Sequence, residues 1–164
     1  MPRTTTDIAT DINTANQNMA TLKGAILACD TTLQNIEDNI DELKRQKRVL
    51  EESYSIVSDL RDYLVGNTGA TGIIGSLEEN CVCIQEIRSD VSVQIFERCK
   101  TALSTAENVV IKIGMDIKKA EKDYDSYYSQ KTSYEQQFSN CETTLDSLDS
   151  EYREAQYAEE NVIL

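Results

Sequence analysis

Residues 8–64 read IATDINTANQNMATLKGAILACDTTLQNIEDNIDELKRQKRVLEESYSIVSDLRDYL. Apolar residues recur here in alternating steps of four and three, and the alternation holds over 17 positions. A period of 3.5 residues keeps one narrow apolar stripe on one side of a helix, which is typical of a coiled coil. We call this stripe the seam. In the first helix it consists of Ile8, Ile12, Ala15, Met19, Leu22, Ile26, Cys29, Leu33, Ile36, Ile40, Leu43, Lys47, Leu50, Tyr54, Val57, Arg61 and Leu64.

Three seam positions hold unusual residues. Cys29 is interpreted as a small buried hydrophobe. Lys47 and Arg61 are the only charged residues on the seam. Their aliphatic stems can lie along it, or their charges can meet acids of a partner helix and so fix the register. With Thr4 to Asp7 available to cap its first turn, helix 1 is predicted from about Asp7 to Val65.

Residues 66–75 are predicted to reverse the chain. They read GNTGATGIIG and contain four of the six glycines. The segment lacks the Gly-Lys-Ser/Thr ending of a phosphate-binding loop. Ile73 and Ile74 are apolar residues at an otherwise polar tip, so they either pack back onto the helices or are offered to a partner.

Helix 2 is predicted from about Ser76 to Phe138. Ser76-Leu77-Glu78-Glu79 matches a capping box, and Ser104 begins a second match, which makes a kink near 104 conceivable. Four-residue steps repeated along the predicted seam indicate stutters, which locally unwind a supercoil. That seam consists of Ile84, Ile87, Val91, Ile95, Cys99, Ala102, Ala106, Val109, Ile113 and Ile117.

The C-terminal segment of about residues 139–161 poses a pairing problem. A reversal near residue 70 pairs residue i with about residue 141 − i, so Ile8 is expected near residue 133. A seam nevertheless continues beyond that point, and burying apolar surface is worth about 25 cal/mol per Å². We therefore expect the segment to fold back as a third helix, restarting near 140, or to pack on another chain. The residues concerned are Phe138, Leu145, Leu148 and Tyr152, followed by the terminal Val162, Ile163 and Leu164.

These patterns predict an all-α fold for a single domain of residues 1–164. Its core is a long antiparallel coiled-coil helical hairpin, to which the C-terminal segment adds a third helix if it folds back. The low content of glycine, with six, and proline, with one, fits two long helices joined by a single connection.

Composition excludes several functions. A formal net charge of −13 disfavours binding to nucleic acids and to anionic lipids. The chain contains no histidine, so His-based catalysis and ligation are excluded. Cys81 and Cys83 lie two residues apart, on different sides of a helix, and lack the second pair that a zinc site requires. We predict no catalytic residue, no metal site, no cofactor and no enzymatic activity.

The N-terminus lacks the apolar region of a signal peptide, and no apolar run approaches the length of a membrane span. Five cysteines at wide spacings suit a reducing compartment. We expect a cytoplasmic protein without a membrane span, with export possible by a route that uses no cleaved signal.

The helical hairpin over about residues 8–135, with its glycine-containing bend and acidic composition, resembles the WXG100-like proteins. It is most similar to the longer YwqH-like helical partners of LXG toxins. The nearest equivalent of the family's Trp-x-Gly bend is Tyr63-Leu64-Val65-Gly66. The family's export signal, Tyr followed four residues later by an acid, is not met at Tyr152 or Tyr157. The resemblance implies a hairpin that binds a toxin's helical domain and takes part in type VII secretion.

Three non-enzymatic functions follow as hypotheses. The first is an accessory protein that binds the helical domain of a toxin or secreted substrate. The second is a coiled-coil scaffold that forms a homo-oligomer, and the third is a holdase-type chaperone. The candidate partner-binding residues are Tyr63, Ile73, Ile74, Phe138, Leu145, Leu148, Tyr152, Val162, Ile163 and Leu164.

Overall fold

The computed structural model describes residues 3–65 and 82–162, with side chains for residues 3–64 and 93–160. Two helices occupy these ranges: α1 spans Thr5–Val65 and α2 spans Val82–Val162. The two helices pack against each other, and the described ranges contain no strand. The predicted all-α helical hairpin is therefore confirmed. The predicted glycine-rich turn of residues 66–75 and the predicted capping box at Ser76 lie outside the described residues.

A reciprocal pair of hydrogen bonds caps the start of α1. The Thr4 hydroxyl accepts a bond from the Asp7 amide at 3.2 Å, and the Asp7 carboxylate accepts one from the Thr4 amide at 3.4 Å. The Thr4 carbonyl then accepts the Ile8 amide at 3.2 Å. This arrangement satisfies amides of the first turn that have no partner within the helix.

The predicted seam of α1 is confirmed by burial. Every one of its positions is buried or half-buried except Tyr54, which is slightly more exposed. The buried members are Ile8, Ala15, Cys29, Leu33 and Ile40. The Lys47 ammonium pairs with Glu51 one turn along α1, at 3.5 Å, and among the described side chains it forms no ion pair with α2.

α2 is one continuous helix of 81 residues, which differs from the predicted break near 138–140 and from the conceivable kink near 104. The hydroxyl of Thr143 donates to the carbonyl of Ser139 at 3.1 Å, and that of Thr105 donates to Thr101 at 2.9 Å, both four residues back in a regular helix. The possible third C-terminal helix is therefore absent from the described residues. The physical reason is that the C-terminal seam already packs on α1.

The predicted stutter of α2 at Val109, Ile113 and Ile117 is wrong, whereas the one at Val91, Ile95 and Cys99 includes a side chain outside the described residues. Leu103 is 5% exposed and Val110 is half-buried, whereas Ala102 and Val109 are exposed. Moving the seam by one residue at these two places gives an unbroken alternation of four and three from Cys99 to Ile117. Over the described side chains the seam of α2 comprises Phe96, Cys99, Leu103, Ala106, Val110, Ile113, Ile117, Ala120, Tyr124, Tyr127, Lys131, Tyr134, Phe138, Cys141, Leu145, Leu148, Tyr152 and Ala155.

The chain divides into two compact units. Unit 1 comprises residues 1–38 and 121–164. Its core contains Ile8, Ala15 and Leu148, with Ile12, Leu145, Tyr152 and Ala155 packed against them. Leu148, rather than residue 133, therefore lies beside Ile8, and the expected 141 − i pairing is wrong. The seam beyond residue 133 does have a helical partner, namely the first turns of α1.

Unit 2 comprises residues 39–120. Ile40 of α1 and Leu103, Ile113, Ile117 and Ala120 of α2 are its buried apolar side chains among the described residues. All five occupy seam positions, so this unit also is held together by two helices meeting along their seams.

Candidate protein-binding surface

Most of the predicted partner-binding residues at the C-terminus lie inside unit 1. Leu148 is 8% exposed, and Leu145 and Tyr152 are half-buried against its cluster. Phe138 is half-buried at the next seam position. Because α1 already covers these side chains, they do not form an open surface, and their assignment as an exposed seam was wrong.

The other predicted residues have different outcomes. Tyr63 is exposed to 64% near the end of α1. Val162 lies in α2, but its side chain is outside the described residues. Ile73, Ile74, Ile163 and Leu164 also lie outside them.

Tyr63 belongs to an exposed apolar stripe on α1. Val49, Ile56, Leu60 and Tyr63 are between 48% and 67% exposed. With the seam at heptad positions a and d, Val49, Ile56 and Tyr63 occupy successive c positions and Leu60 a g position. The stripe therefore repeats with the same period as the seam and lies on its g side, with the g positions between the two. A helix with two adjacent apolar stripes is suited to contact two neighbouring helices.

α2 contributes apolar residues to the same side of unit 2. Ala102 and Val109 occupy successive g positions of α2. In an antiparallel helix pair, the g positions of both helices lie on the same side of the seam. We call Val49, Ile56, Leu60, Tyr63, Ala102 and Val109 together the apolar flank.

The opposite side of unit 2 is polar along α1 and mixed along α2, where Val93 and Ile111 are 59% and 51% exposed. Its e positions near the seam include Lys44 and Glu51 on α1 and Lys100 and Glu107 on α2, all exposed. The two sides of the same helix pair thus differ in chemistry, and the difference cannot be attributed to the packing of α1 on α2. On the apolar flank the exposed apolar residues of α1 repeat with the period of the seam, as on a surface that another protein covers.

Charged residues of opposite sign border the apolar flank. Glu52 and Asp59 occupy f positions along its α1 edge, and Arg98 and Lys112 occupy c positions along its α2 edge. All four side chains are exposed, and none of them forms an ion pair with another described residue. The border charges are therefore available to a partner.

Polar contacts join α1 and α2 within unit 1. The Lys131 ammonium, at a seam position of α2, lies 2.7 Å from an Asp30 carboxylate oxygen of α1, and this contact raises the pKa of Lys131. A hydrogen bond to the Glu37 carboxylate raises the pKa of the Tyr124 hydroxyl, whose ring stacks on Tyr128 with centroids 6.4 Å apart. Contacts between the two helices therefore explain the raised pKa values of Lys131 and Tyr124.

The strongest perturbation within one helix is at Glu42. The Arg45 guanidinium donates to both oxygens of this carboxylate at 2.8 and 2.7 Å, and the Gln46 amide donates at 2.8 Å. These hydrogen bonds, that of Arg45 first, lower the pKa of Glu42 to about 2. Part of the basic cluster of residues 44–48 is thus paired with acids of its own helix.

An open surface cavity of about 400 Å³ also lies in unit 1. Its lining combines amide and hydroxyl side chains with Leu22 and Cys141, and the remaining residues are Asn18, Thr21, Gln137 and Asn140. It contains no charged side chain, and Cys141, half-buried, is a free thiol.

Within residues 3–65 and 82–162, no cluster of three or more acidic or cysteine side chains is placed to hold a metal ion. Neither described helix includes a segment long and apolar enough to cross a membrane.

Comparison with protein-family models, with curated proteins and with solved structures found no match.

The apolar flank was overlooked in the sequence, although the signal is present there. Val49, Ile56 and Tyr63 recur every seven residues, one position before the seam residues Leu50, Val57 and Leu64. Testing each helix for a second apolar stripe at the c and g positions would have found them.

Proposed function

We propose that this protein is a non-enzymatic helical binding protein that uses the apolar flank to bind a helical domain of another protein. The observation that supports this function is the exposed apolar stripe of α1, whose spacing matches that of a helix-binding seam. Amphipathic helices commonly bind by laying an apolar face on such a surface. The absence of histidine from the sequence is consistent with a role that involves no His-based catalysis.

The class of partner that we propose is a toxin or another secreted substrate of type VII secretion, bound in the cytoplasm before export. The resemblance of the hairpin to the WXG100-like and YwqH-like proteins supports this class. Tyr63, which begins the nearest equivalent of that family's Trp-x-Gly segment, lies near the end of α1 and within the apolar flank.

Co-expression with the helical domain of a toxin encoded beside this protein tests the proposal. We expect a complex of defined stoichiometry by size-exclusion chromatography with light scattering. Leu60→Lys should abolish it, because an ammonium would be placed in an apolar interface without a partner. Leu27→Lys is the matched control, since Leu27 is exposed to 67% but belongs to unit 1, whereas the apolar flank belongs to unit 2.

Two outcomes would contradict the proposal. One is the recovery of two separate, monodisperse proteins from the wild-type co-expression. The other is an equal loss of the complex in Leu27→Lys and Leu60→Lys, which would show that the apolar flank has no specific role.

A further inference from the structure

We infer that the apolar flank is occupied by a single amphipathic helix of another protein, with basic residues along the edge that faces α1 and acidic residues along the edge that faces α2. This inference rests on the proposed function, and it adds the chemistry of the partner. It follows from the shape of the flank, from its two charged borders and from the charge of the whole chain.

The spacing of the apolar residues selects a helix as the occupant. Val49, Ile56 and Tyr63 are seven residues apart, and Leu60 fills an intermediate g position. An α-helix presents its own apolar residues with this period, whereas a strand presents them every second residue. At 1.5 Å per residue the stripe is about 21 Å long, which corresponds to about four turns of a partner helix.

The borders specify the charges of that helix. Glu52 and Asp59 run along the α1 edge, and Arg98 and Lys112 run along the α2 edge. A helix lying between them gains favourable pairs only if its two edges carry opposite signs. A helix with one sign on both edges would face like charges along one border. The borders therefore also determine in which direction the partner helix runs, because reversing it exchanges its edges.

The total charge argues against a second copy of this chain as the occupant. Each copy carries a formal net charge of −13, and two such molecules repel each other at low ionic strength. A separate partner with a less negative surface avoids this cost.

The size of the flank sets the expected affinity. Its large exposed side chains leave roughly 500 Å² of surface to be covered, so the two partners together would bury about 1,000 Å². This is the lower limit for a specific interface, and a dissociation constant in the micromolar range is expected for an isolated helix.

Two synthetic helical peptides of about 25 residues test the inference on the full chain. Both carry the same Leu and Ile seam. One has Lys on one edge and Glu on the other, and the second has Glu on both edges. By isothermal titration calorimetry, the wild type should bind the peptide with two signs roughly 3- to 10-fold more tightly, as expected for a few exposed ion pairs.

The double variant Glu52→Lys/Asp59→Lys provides the sharper measurement, because both borders then become basic. We expect its preference to reverse in favour of the peptide with Glu on both edges. Circular dichroism would verify that the variant keeps its helix content. An unchanged preference between the two peptides in wild type and variant would overturn the inference.

A third measurement distinguishes a second copy of this chain from a helix of another protein as the occupant of the apolar flank. Sedimentation equilibrium of the wild type should show a monomer. A dimer that is lost in Leu60→Lys but kept in Leu27→Lys would overturn the inference, because the occupant would then be a second copy. If Leu60→Lys abolishes binding of a helical domain while the charge reversal has no effect, the partner chemistry is wrong and the proposed function stands. If Leu60→Lys changes no association at all, the proposed function itself fails.

Discussion

Replacement of Ile8 by Ala tests how unit 1 is held together. Ile8 is only 2% exposed and packs with Ala15 and Leu148. The change removes three carbon atoms, worth about 0.8 kcal/mol each, or roughly 2.4 kcal/mol in total. A cavity adds to this cost, but the half-buried Ile12 and Leu145 can move into part of it. We expect a loss of about 2–3 kcal/mol in the free energy of unfolding.

Urea denaturation followed by far-ultraviolet circular dichroism measures this loss. Leu27→Ala is the control, because Leu27 is 67% exposed and its truncation should change the free energy of unfolding by less than about 0.5 kcal/mol. A loss below about 0.5 kcal/mol for Ile8→Ala would refute the burial of Ile8.

A double-mutant cycle extends the test to the register of the helices. If Ile8 and Leu148 are in contact, the effects of Ile8→Ala and Leu148→Ala should be coupled by about 0.5–3 kcal/mol. Strictly additive effects would refute the register in which Leu148, rather than residue 133, lies beside Ile8.

Three further predictions concern other sites. In urea denaturation, Leu103→Ala should destabilise the protein by about 2–4 kcal/mol and Val109→Ala by less than about 1 kcal/mol, because only Leu103 lies on the seam. Equal losses would show that Val109 also lies on the seam, as the sequence pattern predicted. The hydrogen bonds of Arg45 and Gln46 lower the pKa of Glu42 to about 2. Glu42→Gln should therefore reduce the free energy of unfolding by its full amount above about pH 4.5, and the difference from wild type should vanish as the pH falls towards 2. Thermal unfolding across this range checks it, and a difference independent of pH would contradict it. Iodoacetamide should label the buried Cys29 more slowly than the half-buried Cys99 and Cys141, as measured by peptide mass spectrometry. Equal labelling rates would mean that Cys29 is accessible.

The first helix could be predicted closely from the sequence, whereas the seam of the second could not. Along α1 one alternation of four and three holds over all 17 seam positions, whereas the second apolar stripe at Val49, Ile56 and Tyr63 is much shorter. Along α2 two adjacent residues are apolar at the critical places, Ala102 beside Leu103 and Val109 beside Val110. Either member of each pair satisfies a local pattern, and only packing against α1 selects Leu103 and Val110.

The register between the two helices also could not be predicted from local sequence patterns. Heptads repeat, so an apolar seam alone permits pairings that differ by whole heptads. The assumed reversal near residue 70 paired Ile8 with residue 133 of α2, whereas its observed neighbour is Leu148. The contact between Lys131 and Asp30 is a specific feature that marks the observed pairing, because a charged seam residue needs its counter-ion at one height only.

The candidate site was predicted only in part for a related reason. Tyr63 was identified because it lies near the bend, but Val49, Ile56 and Leu60 were assigned to no surface. Conversely, Leu148 was assigned to a partner because the wrong register left it without a neighbour. An error in pairing therefore became an error in the binding surface.

Arg3, just before α1, and Thr5, its first residue, are bonded to the last turns of α2, and this has a consequence for how the molecule folds. Arg3 donates to Glu151 at 3.1 Å, and the Thr5 amide donates to Glu159 at 3.3 Å, so these bonds join residues 148 and 154 positions apart in the chain. Closing so long a segment is entropically costly before other contacts shorten it. We expect these terminal bonds to form late in refolding and to open early. Amide hydrogen exchange should accordingly be faster in the first turn of α1 than around Leu33 and Ile40.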